Sequence, residues 1–81
     1  MHEIGLAGAI LDIVERAART DPFRCVRRLR LSVPARAAVE PDALDFALRA
    51  IAPGTLLEGA EIVLDRPPEG ATLRVVELLV E

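Results

Sequence analysis

Cys25-Val26-Arg27-Arg28-Leu29-Arg30-Leu31-Ser32-Val33-Pro34 is the stretch from which the fold can be read. Leu29, Leu31 and Val33 alternate with Arg28, Arg30 and Ser32, the period-two pattern of a strand with one apolar and one polar face. Arg27 breaks the alternation near the start, which a bulge or an exposed strand end accommodates. Pro34 ends the pairing because it brings no amide donor.

On the C-terminal side, residues 35–38 make a short connection to Glu40-Pro41-Asp42. That triplet reads as a helix start, with proline at the first helical position and acidic residues around it. Leu44, Ala47, Leu48 and Ile51 then give the i, i+3, i+4, i+7 stripe of a helix, which Pro53-Gly54 stops. A second strand is expected over residues 60–65, and strand, helix and strand form a βαβ unit if the two strands run parallel. Arg66-Pro67-Pro68-Glu69-Gly70 has the composition of a turn. It leads into a third strand over 72–80, expected to fold back on the second as an antiparallel hairpin. Val75-Val76 and Leu78-Leu79-Val80 make this last strand apolar on both faces. It is therefore either covered on both sides or paired with another chain, while Glu77 points to partial cover.

On the N-terminal side, Leu6, Ile10, Ile13, Val14 and Ala17 form the stripe of a helix over 3–20, ended by Asp21-Pro22. Glu3 in its first turn and Arg16 and Arg19 in its last complement the helix dipole. Gly5 and Gly8 suggest close packing or a frayed first turn. The element order is α-β-α-β-β, and the fold class is α+β. Two helices pack on one face of a three-stranded mixed sheet.

The 81 residues are expected to form one domain, 1–81, with no room for a second core. A chain of this size buries only about 60–65% of its unfolded surface, so self-association is a natural supplement to the core. Cys25 is the one cysteine, which excludes an internal disulfide and a four-thiolate zinc site. A net charge of −3 offers no basic footprint for nucleic acid. Arg24, Arg27, Arg28 and Arg30 read as a solvated or edge-guarding face. The apolar run 4–14 is interrupted by Asp12 and followed by Glu15 and Arg16, so no membrane span and no signal peptide is expected. The expected compartment is the cytoplasm.

Chemistry concentrates at the start. In Met1-His2-Glu3 an amine, main-chain amides and an imidazole fall within three residues. Ni(II) and Cu(II) favour such nitrogen donors in a square plane. The Met1 amine and His2 amide close one chelate ring, the His2 imidazole a second, and the Glu3 amide supplies a fourth nitrogen. A histidine at a fraying terminus is the bland alternative. The Glu3 carboxylate reads as a helix N-terminal charge rather than a ligand, and Glu40 as a cap rather than a base. Asp42 and Asp45 are read as facing solvent without the apolar pocket that paired-carboxylate catalysis needs. Cys25 reads as a small core or strand-end residue. No serine–histidine–acid set and no phosphate loop are present, so the chain is not expected to be an enzyme.

These residues resemble the HypA/HybF family of nickel-insertion accessory proteins of hydrogenase maturation. The resemblance runs through Met1-His2-Glu3-Ile4, the helix after it and the strand 26–33. It continues through Val39-Glu40-Pro41-Asp42-Ala43-Leu44 with Phe46, then Gly54-Thr55, Glu58-Gly59-Ala60 and the closing strand. It implies a metallochaperone holding Ni(II) at the N-terminus through His2, the Met1 amine and the main-chain nitrogens of His2 and Glu3. It also implies two partners: a nickel-handling GTPase and the large subunit of a [NiFe] hydrogenase. The family carries a zinc module of two Cys-x-x-Cys pairs between the second and third strands. Here the turn at 66–70 stands in its place, so no structural zinc is expected. The alternative is a metal-free adaptor that keeps the fold and docks on a maturation partner or forms a homo-oligomer through the C-terminal strand.

Overall fold

The computed structural model describes residues 2–67 and 72–81. Helix α1 is Glu3–Thr20, strand β1 Val26–Ser32, helix α2 Pro41–Ile51, strand β2 Glu61–Asp65 and strand β3 Arg74–Val80. A 3-10 turn, Ala35–Ala37, links β1 to α2. The order α-β-α-β-β is as the sequence predicts, and the element bounds agree within two residues.

Strand β1 is central. It pairs in parallel with β2, from Arg28 opposite Glu61 to Ser32 opposite Asp65. On its other side it pairs antiparallel with β3, from Val26 opposite Val80 to Ser32 opposite Arg74. The βαβ unit and the mixed sheet are as expected, and the register slip between Val26 and Arg28 places the bulge at Arg27. The hairpin expectation is wrong: β2 and β3 are not neighbours, and the sheet order is β2-β1-β3. The charge pattern agrees with this order: Glu61 and Asp65 lie on β2 and Glu77 on β3, and opposite charges on neighbouring strands attract. With β1 between them, its arginines separate and neutralise both rows. The strand ends flanking Ser32 lie two spacings apart, about 9.5 Å, a gap that residues 66–73 can span. The turn reading of residues 66–70 falls, for 68–70, outside the described residues.

Both helices cover one face of the sheet. Ala7, Ile10 and Val14 of α1 meet Leu44, Ala47 and Leu48 of α2 over Val26, Leu29, Leu31 and Val33, all buried. Ile62, Leu64, Val75 and Leu78 from the flanking strands close the sides of this core. The stripe of α1 is narrower than its sequence suggests. Ile13 is 48% exposed, whereas the small Ala7 lies at the helix–helix contact. Gly5 and Gly8 face open space, with nothing within 4 Å of an added Cβ, so close packing does not explain them. Glu40 caps α2, as expected, by accepting the Asp42 amide at 3.3 Å, and Pro41 opens the helix.

Candidate metal centre

The start of α1 determines what His2 and Glu3 can do. His2 is the N-cap, in extended conformation (φ −77°, ψ 142°), and its side chain makes no capping bond. Its carbonyl accepts the Leu6 amide at 3.1 Å, the first bond of the helix. The imidazole side chain belongs to an exposed residue and is not committed to capping.

The first amides of a helix have no intrahelical acceptor. A metal that takes the His2 and Glu3 nitrogens therefore competes with no helical hydrogen bond. The Glu3 carboxylate turns away from this use. Its Oε2 accepts the Glu40 amide at 3.5 Å, tying the start of α1 to the cap of α2. That contact agrees with reading the Glu3 side chain as a structural charge, and sequence reasoning missed its partner. The expected Met1 amine lies outside the described residues.

Other candidate groups lie elsewhere. Cys25 is a free, half-buried thiol whose backbone pairs with Glu81, the Glu81 amide reaching the Cys25 carbonyl at 3.0 Å. It follows the far end of α1, and an 18-residue helix separates its ends by about 27 Å. The thiol thus does not join His2. Asp45 is held by Arg49 at 2.9 Å, and the hydrogen bond to this carboxylate raises the Arg49 pKa. Among the described residues, no group of three or more His, Cys, Asp or Glu side chains could hold a metal ion. Main-chain nitrogens beside one imidazole are the nitrogen-rich set.

The arginines of β1 have carboxylate partners on the open face of the sheet. Arg28 lies 3.2 Å from Glu77 and 3.7 Å from Glu61. Arg30 lies 3.1 Å from Asp65 and 3.6 Å from Glu77. Arg24 and Arg27 both reach the Glu81 carboxylate. Hydrogen bonding to Asp65 raises the Arg30 pKa, and bonding to Glu81 raises that of Arg27. The edge-guarding reading is corrected here, because β1 is not an edge. Its alternating arginines match acidic residues on both neighbours, a signal present in the sequence as Glu61, Asp65 and Glu77.

Residues 1–73 match the family model described as hydrogenase/urease nickel incorporation, metallochaperone, hypA. The chain belongs to the HypA family. The hydrogenase maturation factor HypA of Polaromonas naphthalenivorans is 55% identical over 67 residues, covering 83% of this chain and 58% of that protein. The HypA of Cupriavidus necator is 52% identical over 67 residues, 83% of this chain and 56% of that one. The chain thus spans less than two thirds of the length of these relatives. The solution structure of the Ni metallochaperone HypA from Helicobacter pylori aligns with a TM-score of 0.78 at 14% identity. The alignment covers 99% of this chain and 97% of that one. At that identity the likeness shows a HypA fold, with two helices and a three-stranded mixed sheet. The family is one of nickel-handling maturation factors. Among the described residues, no helix is long and apolar enough to cross a membrane.

Proposed function

We propose that this HypA-family chain carries Ni(II) as cargo for [NiFe] hydrogenase maturation, held by the Met1 amine, the His2 amide and imidazole, and the Glu3 amide. The observation that carries the reading is the N-cap position of His2. Its exposed side chain makes no capping bond, and it stands beside helix-start amides that lack intrahelical acceptors. The protein's part is to bind, hold and yield an ion; no bond of a substrate is made or broken, and the chain is not an enzyme. The partners it would serve are a nickel-handling GTPase and the hydrogenase large subunit, in the cytoplasm, with no membrane or nucleic acid involved. Residues 1–81 would act as one nickel-type domain. Residues 1–81 would not themselves supply a structural zinc site, because Cys25 and His2 are their one cysteine and one histidine and such a site takes four cysteine or histidine ligands.

Competitive nickel titration of tag-free protein, His2→Ala and an N-terminally extended form tests this site. Losing one arm of a multidentate site should weaken binding roughly a hundredfold or more in both altered forms. Equal affinity in all three forms overturns it.

A second reading, a metal-free adaptor, is favoured by β3. This strand has one partner in the sheet, and Leu79 and Val80 are 47% and 40% exposed. A free edge of this kind takes up a strand from a partner or from a second copy. Partner capture that is unchanged in His2→Ala, with no nickel bound by the tag-free protein, would favour it.

A further inference from the structure

The edge of β3 has a main-chain phase and a side-chain order that select its occupant, an inference that rests on the docking-edge reading above. Glu81 spends its main chain inward. Its amide donates to the Cys25 carbonyl at 3.0 Å, and its carbonyl accepts the Arg24 amide at 2.7 Å. In an antiparallel ladder the main-chain groups of successive residues point alternately to the two sides of the strand. Val80 and Leu78 therefore turn their amides and carbonyls to the open edge, whereas Leu79 and Glu77 turn theirs to β1. The Val26 amide fits this phase: Val26 stands opposite Val80, and its amide donates away from β3, to the Leu56 carbonyl at 2.9 Å. Val76 is an extra residue between the pairs Leu31–Val75 and Arg30–Glu77. It interrupts the edge, so the regular part is Glu77-Leu78-Leu79-Val80-Glu81.

That stretch has the same character in both directions: an acid, three aliphatic residues, an acid. We propose that it pairs with itself, β3 of one copy beside β3 of a second copy, antiparallel about a two-fold axis through Leu79. Leu78 and Val80 of each copy then exchange main-chain hydrogen bonds with Val80 and Leu78 of the other, using the groups that the sheet leaves open. Leu79 meets Leu79 of the second copy. Centring the axis on Leu78 instead would set Glu77 against Leu79 and Val80 against the bulged Val76. Because each copy has one such edge, the assembly closes at two.

Charge is complementary across this axis. Glu77 comes opposite Glu81 of the second copy, a pairing that bare carboxylates would resist. Each brings its own cations. Glu77 lies 3.2 Å from Arg28 and 3.6 Å from Arg30, and Glu81 holds Arg27 and lies 3.8 Å from Arg24. Pairing sets Glu77 of one copy beside Arg24 and Arg27 of the other, and the Arg24 side chain, 85% exposed, has room to serve both. On the core face an apolar depression lined by Ala17, Asp21, Phe23, Leu78 and Val80 opens along the same edge. The Val80 side chain of the second copy, opposite Leu78, faces into it. The pairing thus covers Leu79 and Val80, the large exposed hydrophobics of β3.

Cysteine trapping reads the register. Leu79→Cys and Val80→Cys are each made in a Cys25→Ala background, which leaves one thiol. In the proposed pairing the two 79 positions face each other about 4.5 Å apart at Cα, within the span of a disulfide. The two 80 positions lie roughly 8 Å apart, outside it. A contact this small belongs to the weak class, so protein is used up to about 1 mM. Under mild oxidation Leu79→Cys should form a covalent dimer roughly tenfold faster than Val80→Cys or more, with circular dichroism unchanged. Sedimentation of the unmodified protein should move from monomer toward dimer mass with concentration and stop there. Equal trapping rates, masses beyond a dimer, or a monomer at every concentration each overturn the self-pairing. The docking-edge reading outlives such a result only if Leu79→Lys loses binding to the hydrogenase large subunit. Where that binding is kept as well, both readings of the edge fail.

Discussion

Glu40 was legible as a cap because an acidic residue before proline at a helix start has few other roles. Its carboxylate accepts the Asp42 amide, and its own amide donates to Glu3. The second contact joins residues 37 positions apart, and no local pattern announces it. Glu40→Ala removes the cap acceptor and leaves the Glu3–Glu40 contact in place, because that contact uses the main chain. The expected loss is about 0.5–1 kcal/mol, read as a lower urea midpoint with an unchanged m-value. A loss near zero would mean that solvent satisfies the Asp42 amide equally well. The nitrogen donors proposed for nickel were named from sequence for a chemical reason, since donor count and chelate spacing are properties of sequence. The torsion at His2 is a property of the helix start and was not.

At the level of elements, periodicity located every helix and strand, while the neighbours of β3 were misread. Sequence adjacency and a short turn favour a hairpin, but the sheet places β1 between β2 and β3. A signal of that order was present in the charges: Arg28 and Arg30 each have acidic residues on both sides. The pKa of Arg30 is raised above its ordinary value by the Asp65 hydrogen bond. Its charged form therefore favours the fold below that ordinary value, and the contribution fades only as pH climbs through the raised one. Across neutral pH the arginine does not titrate, so salt is the useful probe. Arg30→Glu would crowd a third carboxylate between Asp65 and Glu77. It should lower the melting temperature more than Arg30→Gln does, and the gap should narrow in about 1 M salt. A gap insensitive to salt would assign the effect to lost packing of the arginine stem.

For the whole molecule, one core lies between the helices and one face of the sheet, and the other face is a field of ion pairs. The two outer strands are finished differently. Strand β2 carries Glu61 and Asp65 at its ends, acidic residues of the kind that discourage edge pairing. Strand β3 ends in Leu78-Leu79-Val80, of which Leu78 packs on the core while Leu79 and Val80 are largely exposed. An apolar edge on a small core links stability to association, because a partner that binds the folded form raises its melting temperature with concentration. Leu79 sits opposite Arg28 in the ladder and outside the core, so Leu79→Lys charges the edge without opening a cavity. If β3 pairs between copies, wild type should show a mass and a melting temperature that rise with protein concentration. The lysine variant should remain at monomer mass, with the melting temperature of dilute wild type. The same mass for both proteins at every concentration would leave this strand to a different partner, and then loss of partner capture by Leu79→Lys becomes the measurement that locates the docking edge.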